Sequence, residues 1–314
     1  METDLWFSVY PSIKGIGMRL IKTALFAPGI NAKVMSKALA SKVDAVILDL
    51  EDSVPIASKQ EARELVASVI SEAAKTASNH QQPRIMVRTN AIDTGFLPDD
   101  INAISLPGLD MLLLAKAENV SDIKAVSNQL DLLEKDRGIQ PGSIQIGLQI
   151  ETALGVYHCF DLVKASSRVT LTCIGTAQDG DLQNDLACSW SIEGIEMLYA
   201  RSKVLLDSRA AGIAMPIDGV FANLEDDDAL FKDSSLSARL GYVGRTIIHP
   251  KQINAVERAY GHSASDLAYY KRLIAVFEEA EKGGVAAIQM DEKLIDYAMY
   301  RQAKRIVSLE KGTL

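Results

Sequence analysis

The chain has 314 residues, of which 48% are hydrophobic and 24% charged, and its formal net charge is -8 at pH 7. This balance is typical of a globular protein with a large core. The acidic charge argues against a nucleic-acid-binding protein, which needs clustered positive charge. The three cysteines have no CxxC spacing, which indicates a reducing, cytoplasmic compartment without a disulfide framework. We expect no signal peptide and no membrane association, because no apolar run reaches the roughly 18 residues of a membrane helix.

Eight short apolar runs alternate with helix-like segments along most of the chain. The runs predict strands over 23–27, 43–50, 84–87, 111–114, 144–150, 169–174, 218–222 and 245–248. Helical spacing predicts helices over 32–41, 59–74, 97–104, 120–137, 153–166, 191–211, 235–240 and 252–260. Nearly continuous apolar strands are typical of a parallel sheet that is buried on both faces. The alternation therefore predicts an α/β protein with the (β/α)8 architecture of a TIM barrel.

The barrel pattern has a segment on either side. Residues 1–22 form an irregular preamble, and residues 263–314 form a C-terminal helical extension with helices predicted over 264–282 and 292–308. One barrel domain, 23–262, is left to carry the active site. A doubly wound sheet is the competing architecture, but no GxGxxG motif follows the first strand to support a dinucleotide site.

Polar side chains follow the carboxyl ends of the predicted strands, where parallel barrels place their catalytic residues. They include Glu51, Asp52, Arg88, Asn90, Lys116, Glu151, Asp179, Asp181 and His249. Mg²⁺ is usually held by one or two carboxylates with substrate and water, which suits Glu151 and one loop aspartate. A guanidinium binds a carboxylate bidentately. We therefore expect Mg²⁺ as the cofactor, and we expect Arg88, Lys116 and Asn90 to bind an anionic substrate.

Most of these residues also have a purely structural interpretation. Glu151 could cap the helix that follows it, and the Asp-rich loop could simply be solvated. Arg88 could form ion pairs with Glu51 or Asp52 inside the barrel mouth, because structural ion-pair networks also occupy such places. Asp52 could equally cap the next helix, and Lys116 could be a solvated strand end.

Other catalytic chemistries have little support in the sequence. For His249, which precedes Pro250, we favour a structural hydrogen-bonding role, because one histidine without a partner is weak evidence for catalysis. No GxSxG motif indicates a serine hydrolase. No HExxH motif or Cys/His cluster indicates zinc.

Eight motifs along the chain resemble the HpcH/HpaI aldolase and citrate lyase β-subunit superfamily, and within it the CitE-like acyl-CoA lyases. They are LFAPG (25–29), DAVILDLEDSV (44–54), RTNAIDTGF (88–96), IETALGV (150–156), DLQNDL (181–186), ARSKVLLDSRAAGI (200–213), GYVGRTIIHPKQI (241–253) and LIDYAMYRQA (294–303). The resemblance runs from about residue 23 to residue 307. It implies a Mg²⁺-dependent barrel, a homotrimer, that cleaves a malyl-, citramalyl- or citryl-type thioester into an acetyl thioester and a 2-oxo acid.

The resemblance also implies roles for individual residues. Glu151 and Asp181 are the metal ligands, with Asp179 as the alternative because the loop GTAQDGDLQNDL is two residues longer than usual. Arg88 binds the carboxylate and the reacting oxygen. The catalytic set is completed by Glu51 and Asp52, which border the metal waters, and by Asp296, a proton-transfer group that reaches a neighbouring subunit's site.

Two other functions fit the same resemblance. One is an acyl-CoA thioesterase acting on the same esters, since some relatives couple or replace lyase activity with thioester hydrolysis. The other is the β subunit of a citrate lyase complex acting on an acyl-carrier-protein thioester, because RTNAIDTGF resembles those subunits. The expected partners are thus a CoA or carrier-protein thioester and further copies of the chain.

Overall fold

The computed structural model describes residues 20–76 and 82–310, and it confirms the predicted barrel. Eight parallel strands follow one another around the sheet in chain order, and the last pairs with the first. The remaining gap, between the seventh and eighth strands, is joined by a parallel bridge between Asp218 and Arg245. The strands are β1 (Thr23–Pro28), β2 (Ala45–Asp49), β3 (Arg84–Thr89), β4 (Met111–Leu114), β5 (Gln145–Ile150), β6 (Val169–Ile174), β7 (Met215–Ile217) and β8 (Arg245–Ile247).

Helices connect the strands and cover the outside of the sheet. They are α1 (Ala32–Leu39), α2 (Lys59–Thr76), α3 (Leu97–Ile104), α4 (Val120–Asp136), α5 (Ala153–Lys164), α6 (Asp181–Asp185), α7 (Ile195–Ala210), α8 (Asp227–Leu240) and α9 (Ile253–Tyr260). Strands β2, β4 and β7 are buried at every position, as expected for a sheet covered on both faces. Within the described ranges, no helix is long and apolar enough to cross a membrane.

The predicted seventh strand was wrong in position. Strand β7 is Met215–Ile217 and ends before Asp218, whereas the sequence predicted a strand over 218–222. Proline cannot donate a ladder hydrogen bond and normally demotes a strand prediction. Here Pro216 lies in a three-residue strand, and its carbonyl accepts a hydrogen bond from the backbone N–H of Val243. The acid at the end of this strand, Asp218, was therefore missed.

Residues from Gly261 onward belong to a second compact unit, separate from the barrel unit Ile21–Tyr260. Its elements are α10 (Ala264–Lys282), the antiparallel hairpin β9 (Ala287–Met290) and β10 (Lys293–Asp296), and α11 (Tyr297–Glu310). The predicted helix over 292–308 was wrong at its start, because Asp291 and Glu292 adopt left-handed backbone angles and turn the chain into β10. Most of the predicted preamble, residues 1–19, lies outside the described residues.

Candidate active site

A cavity of about 450 Å³ lies at the carboxyl ends of the barrel strands. That volume is within the range of roughly 300–1,000 Å³ found for ligand pockets. Phe26, Ile174 and Val220 contribute apolar walls. The charged and amide side chains that line it are Asp49, Asp52, Arg88, Gln149, Glu151 and Asp181. The predicted strand-end residues Arg88, Glu151 and Asp181 thus share one cavity.

Arg88 is held by three carboxylates. In the register of β2 and β3 it lies opposite Asp49. Its Nε is 2.7 Å from Oδ1 of that residue, and its Nη2 is 2.9 Å from Oδ2, which makes a bidentate pair. Its Nη1 lies 3.0 Å from Oε2 of Glu51 and 3.3 Å from Oδ2 of Asp52. The ion pairs that the sequence left open are therefore present, and the strongest partner, Asp49, was missed as a site residue.

Burial and charge move the pKa values of these acids in opposite directions. Burial raises the pKa of Asp49, but the hydrogen bonds and charge of Arg88 outweigh it, so the pKa lies below its usual range. Burial, assisted by the nearby charge of Glu151 and opposed by Arg88, raises the pKa of Glu51 to about 8. Burial therefore disfavours the charged form of Glu51, whereas Arg88 favours the charged form of Asp49.

Glu151 follows β5 and is only 4% exposed. Its Oε1 accepts a hydrogen bond from the backbone N–H of Lys116 (3.0 Å), and its Oε2 accepts one from Nε2 of Gln149 (2.6 Å). Burial raises its pKa. The capping alternative is wrong, because Thr152 caps α5 by accepting a hydrogen bond from the N–H of Gly155.

Lys116 links Glu151 to the loop after β6. Its backbone is left-handed (φ 47°), and its Nζ lies 3.3 Å from Oδ2 of Asp181 while its N–H contacts Glu151. Asp181 lines the cavity at the start of α6. Asp179 is exposed, with its backbone N–H donating to the side chain of Gln183. Of the two loop aspartates, the geometry favours Asp181 as the partner of Glu151.

Asn90 is buried in a polar network beside the cavity. Its backbone N–H and its Nδ2 both donate to Oδ2 of Asp100, at 2.8 and 2.7 Å. Asp100 in turn accepts a 2.8 Å hydrogen bond from Nε of Arg63. Asn90 is not among the residues that line the cavity, so its amide nitrogen holds α3 against the end of β3.

Two further predicted residues have structural contacts of their own. Nδ1 of His249 accepts a hydrogen bond from the backbone N–H of Lys251 and caps the 3-10 turn Pro250–Gln252, which confirms the structural interpretation. Asp296, in the C-terminal unit, is exposed. Its Oδ1 accepts hydrogen bonds from the backbone N–H groups of Ala298 (2.9 Å) and Met299 (3.2 Å), which begin α11.

Gln149 is a second site residue that the sequence analysis missed. It is 7% exposed, it lines the cavity, and its Oε1 has no hydrogen-bond partner among the described residues. The available signal was strand alternation, since residues two apart on one strand face the same side. Gln149 and Glu151 therefore point together, and the amide orients the carboxylate.

The donor set around Glu151 and Asp181 is limited to oxygen. In the described part of the chain, no group of three or more His, Cys, Asp or Glu side chains could hold a metal ion. A two-carboxylate set still fits Mg²⁺, which keeps several waters and binds one or two carboxylates together with substrate. A buried acid with a raised pKa beside a second carboxylate is an environment that a divalent cation would stabilise.

Known proteins resemble this chain over most of its length. The HpcH/HpaI aldolase/citrate lyase family matches residues 22–250. Citrate lyase subunit beta of Leuconostoc mesenteroides subsp. cremoris is 33% identical over 292 residues, which cover 93% of each chain. Mitochondrial citramalyl-CoA lyase of Mus musculus is 28% identical, over 92% of this chain and 85% of its own. The (3S)-malyl-CoA thioesterase of Cereibacter sphaeroides is 29% identical, over 88% of this chain and 89% of its own.

A solved structure shows the same fold. The citrate lyase beta subunit from M. tuberculosis, complexed with oxaloacetate and magnesium, aligns with a TM-score of 0.60 and 25% identity, over 78% of this chain and 99% of that one. The lyases among the relatives indicate that this chain is a lyase of the oxo-acid-lyase type. The chain therefore belongs to the HpcH/HpaI aldolase/citrate lyase family.

Proposed function

We propose that the chain is a Mg²⁺-dependent carbon–carbon lyase that cleaves a malyl-, citramalyl- or citryl-type thioester into an acetyl thioester and a 2-oxo acid. One observation carries the proposal: a single cavity is lined by Arg88 and by Glu151 and Asp181, which are linked through Lys116. That arrangement suits a substrate with a carboxylate and a neighbouring oxygen.

Glu151 and Asp181 are the residues that would hold Mg²⁺. Bound there, the ion would polarise a carbonyl oxygen and stabilise developing negative charge as a Lewis acid. Gln149 and the N–H of Lys116 orient the Glu151 carboxylate through the two hydrogen bonds described above. Asp179 is the alternative ligand, although its exposed position gives it less support.

Arg88 binds the substrate carboxylate in this proposal. The bidentate pair with Asp49 fixes the plane of its guanidinium, so that Nη1 is the group left for a ligand. Asp52 is the weakest competitor at Nη1, because its side chain is 63% exposed and its pair distance is 3.3 Å. A substrate carboxylate would take the place of Asp52 at Nη1.

Two proton transfers complete the reaction. Loss of a proton from the 3-hydroxyl lets the C–C bond break, which releases the 2-oxo acid and leaves the thioester enolate. We assign this proton to Glu51, which would accept it in its ionised form; its carboxyl group lies 3.0 Å from Nη1 of Arg88, the group proposed to bind the substrate. Asp296, exposed at the start of α11, would protonate the enolate carbon in a neighbouring subunit of a homotrimer.

The first experiment is an incubation of the purified chain with Mg²⁺ and malyl-, citramalyl- or citryl-CoA, with the products identified by mass spectrometry. Acetyl-CoA and a 2-oxo acid should form, and both should be lost with EDTA and in Glu151→Ala. The exposed Glu225→Ala variant, outside the cavity lining, is the matched control and should keep wild-type turnover. Turnover that survives in Glu151→Ala would contradict the proposed metal site.

Two alternatives predict different products from the same incubation. A thioesterase, supported by the malyl-CoA thioesterase relative, would release free CoA and an intact hydroxy acid. A citrate lyase β subunit, supported by the Leuconostoc relative, would act only on the carrier-protein thioester and leave the CoA esters intact. Because each alternative is supported by a relative, the substrate panel includes citryl-acyl-carrier protein.

A shared active site is tested by mixing two inactive variants. If Asp296 serves the site of a neighbouring copy, mixed oligomers of Glu151→Ala and Asp296→Ala contain some sites with both native residues and regain activity. No recovery after refolding together would contradict action between subunits.

We also propose a cytoplasmic location, because all three cysteines are free thiols.

A further inference from the structure

A buried cluster of four charged residues lies beside the cavity and was not recognised in the sequence. The inner charge cluster consists of Arg201 on α7, Asp218 after β7, Asp233 on α8 and Arg245 on β8, all at most 5% exposed. Asp233 accepts hydrogen bonds from Nη1 (2.9 Å) and Nη2 (3.2 Å) of Arg201 and from Nη1 of Arg245 (2.8 Å). The two guanidinium and two carboxylate charges balance, which burial requires.

The inner charge cluster contacts the loop after β6, residues 175–180, through the hydroxyl of Thr176. Oγ1 of Thr176 donates a 2.9 Å hydrogen bond to Oδ1 of Asp218. The two segments are in close contact, since a Cβ on Gly219 would lie 2.6 Å from the backbone nitrogen of Thr176. Thr176 is therefore the side chain that fastens the beginning of the loop after β6 to the end of β7.

The fastened loop carries groups that the proposed reaction needs. Gly175 packs so tightly on Glu151 that an added Cβ would lie 2.7 Å from its Cβ. Asp181 follows five residues after Thr176 and begins α6, whose second residue, Leu182, is fully buried. Thr176 itself is 2% exposed and does not line the cavity. Its hydroxyl can act on a ligand only through the loop.

We propose that the Thr176 hydroxyl, held by Asp218 of the inner charge cluster, is a positioning group that sets the loop so that Asp181 and Glu151 bind one divalent cation. This inference rests on the proposed function. Losing the bond frees the start of the loop, and Asp181 then has to be ordered when the cation binds. The expected effect is a weaker cation site in a barrel that is otherwise folded.

The test compares three variants of the full chain by electron paramagnetic resonance of bound Mn²⁺. Thr176→Val replaces the hydroxyl by a methyl group of similar size and should weaken Mn²⁺ binding about tenfold, the value of one hydrogen bond to a charged group. Thr176→Ser keeps the hydroxyl and should bind within about twofold of wild type. Thr172→Val removes a different buried hydroxyl, which lies on β6 and is hydrogen-bonded to the hydroxyl of Ser208 at 2.8 Å. This variant should also bind Mn²⁺ normally.

Backbone hydrogen exchange without metal gives a second readout. Amides of residues 175–186 should exchange faster in Thr176→Val and not in Thr176→Ser or Thr172→Val. If Thr176→Val keeps wild-type Mn²⁺ binding and loop protection, the inference is overturned while the proposed function stands. The same holds if Thr172→Val loses as much Mn²⁺ binding and loop protection as Thr176→Val. If wild type binds Mn²⁺ no better than Glu151→Gln, the proposed metal site fails first, and the positioning role fails with it.

Discussion

Replacing Asp49 by asparagine tests whether the site depends on the bidentate ion pair by which Asp49 holds Arg88, here called the clamp. The substitution keeps the shape of the side chain but removes the charge that faces the guanidinium. Asp49 is 2% exposed and Arg88 is 8% exposed, so water replaces little of the interaction that the substitution removes. One oxygen of the bidentate pair becomes an NH2 group that faces an N–H donor.

The cost follows from the burial of this pair. Breaking a buried ion pair by removing one partner typically costs roughly 3–5 kcal/mol of unfolding free energy. Glu51 and Asp52 remain within 3.3 Å of Nη1, so part of the compensation survives. We therefore expect a loss of about 3 kcal/mol, which lowers Tm by roughly 6–12 °C in a domain of this size.

The lyase reaction should be affected more than stability alone explains. A guanidinium without its clamp must be ordered when substrate binds, so we expect kcat/KM to fall by about 10–100-fold at a temperature where the variant is folded. Thermal unfolding followed by circular dichroism and the acetyl-CoA assay give the two values. The substrate carrying the highest wild-type activity should be used.

Asp110→Asn is the matched control at the opposite end of the barrel. Asp110 immediately precedes β4, and its Oδ2 accepts the backbone N–H of Ile85 at 2.8 Å, with the charge of Arg84 nearby. An asparagine oxygen can accept the same hydrogen bond, so Tm and kcat/KM should change little. If Asp49→Asn behaves like this control in both measurements, the clamp has no role in stability or turnover, and the reasoning is refuted.

Three other substitutions probe the barrel and the site. Glu134, fully buried and paired with Arg168, has a lowered pKa. The stabilisation from this ion pair is complete above the pKa of Glu134 in the unfolded chain, near 4.5, and disappears as pH falls through its lower pKa in the folded chain. Urea unfolding should therefore show that Glu134→Gln loses about 3 kcal/mol of unfolding free energy at pH 7, and that this loss shrinks below about pH 4. Gly175→Ala should lower kcat at least about tenfold by displacing Glu151 from its position. His249→Ala should cost about 1 kcal/mol in unfolding and leave kcat within about twofold, since the ring caps a turn.

The sequence predicts most of the barrel because its buried strands are nearly continuous apolar runs. The exceptions have local causes. Strand β7 was predicted in the wrong position because it contains Pro216, and proline normally counts against a strand. The β9–β10 hairpin was missed because its turn, Asp291 and Glu292, contains no glycine or asparagine, the residues that normally mark left-handed turns. The charged segment 292–308 instead predicts a helix that begins at Glu292.

The candidate site was only partly predictable from the sequence. Strand-end positions place Arg88, Glu151 and Asp181 at one mouth, because parallel strands share their carboxyl face. The partners depend on strand register, which a single sequence does not specify. Asp49 clamps Arg88 because the register of β2 and β3 places the two residues opposite each other. A shift of one residue would have turned one of them to the other face of the sheet.

The charges around the cavity also explain why an anionic substrate would need a cation. Among the described residues, four carboxyl groups line the cavity, those of Asp49, Asp52, Glu151 and Asp181, against one basic side chain, Arg88. Glu51 and Lys116 are not part of this lining, but they contact it at Arg88 and at Asp181. A substrate carboxylate entering alone would meet a negative field in a partly desolvated space. In the proposed reaction, a divalent cation held by Glu151 and Asp181 would offset this excess of acids, and Arg88 would bind the substrate carboxylate.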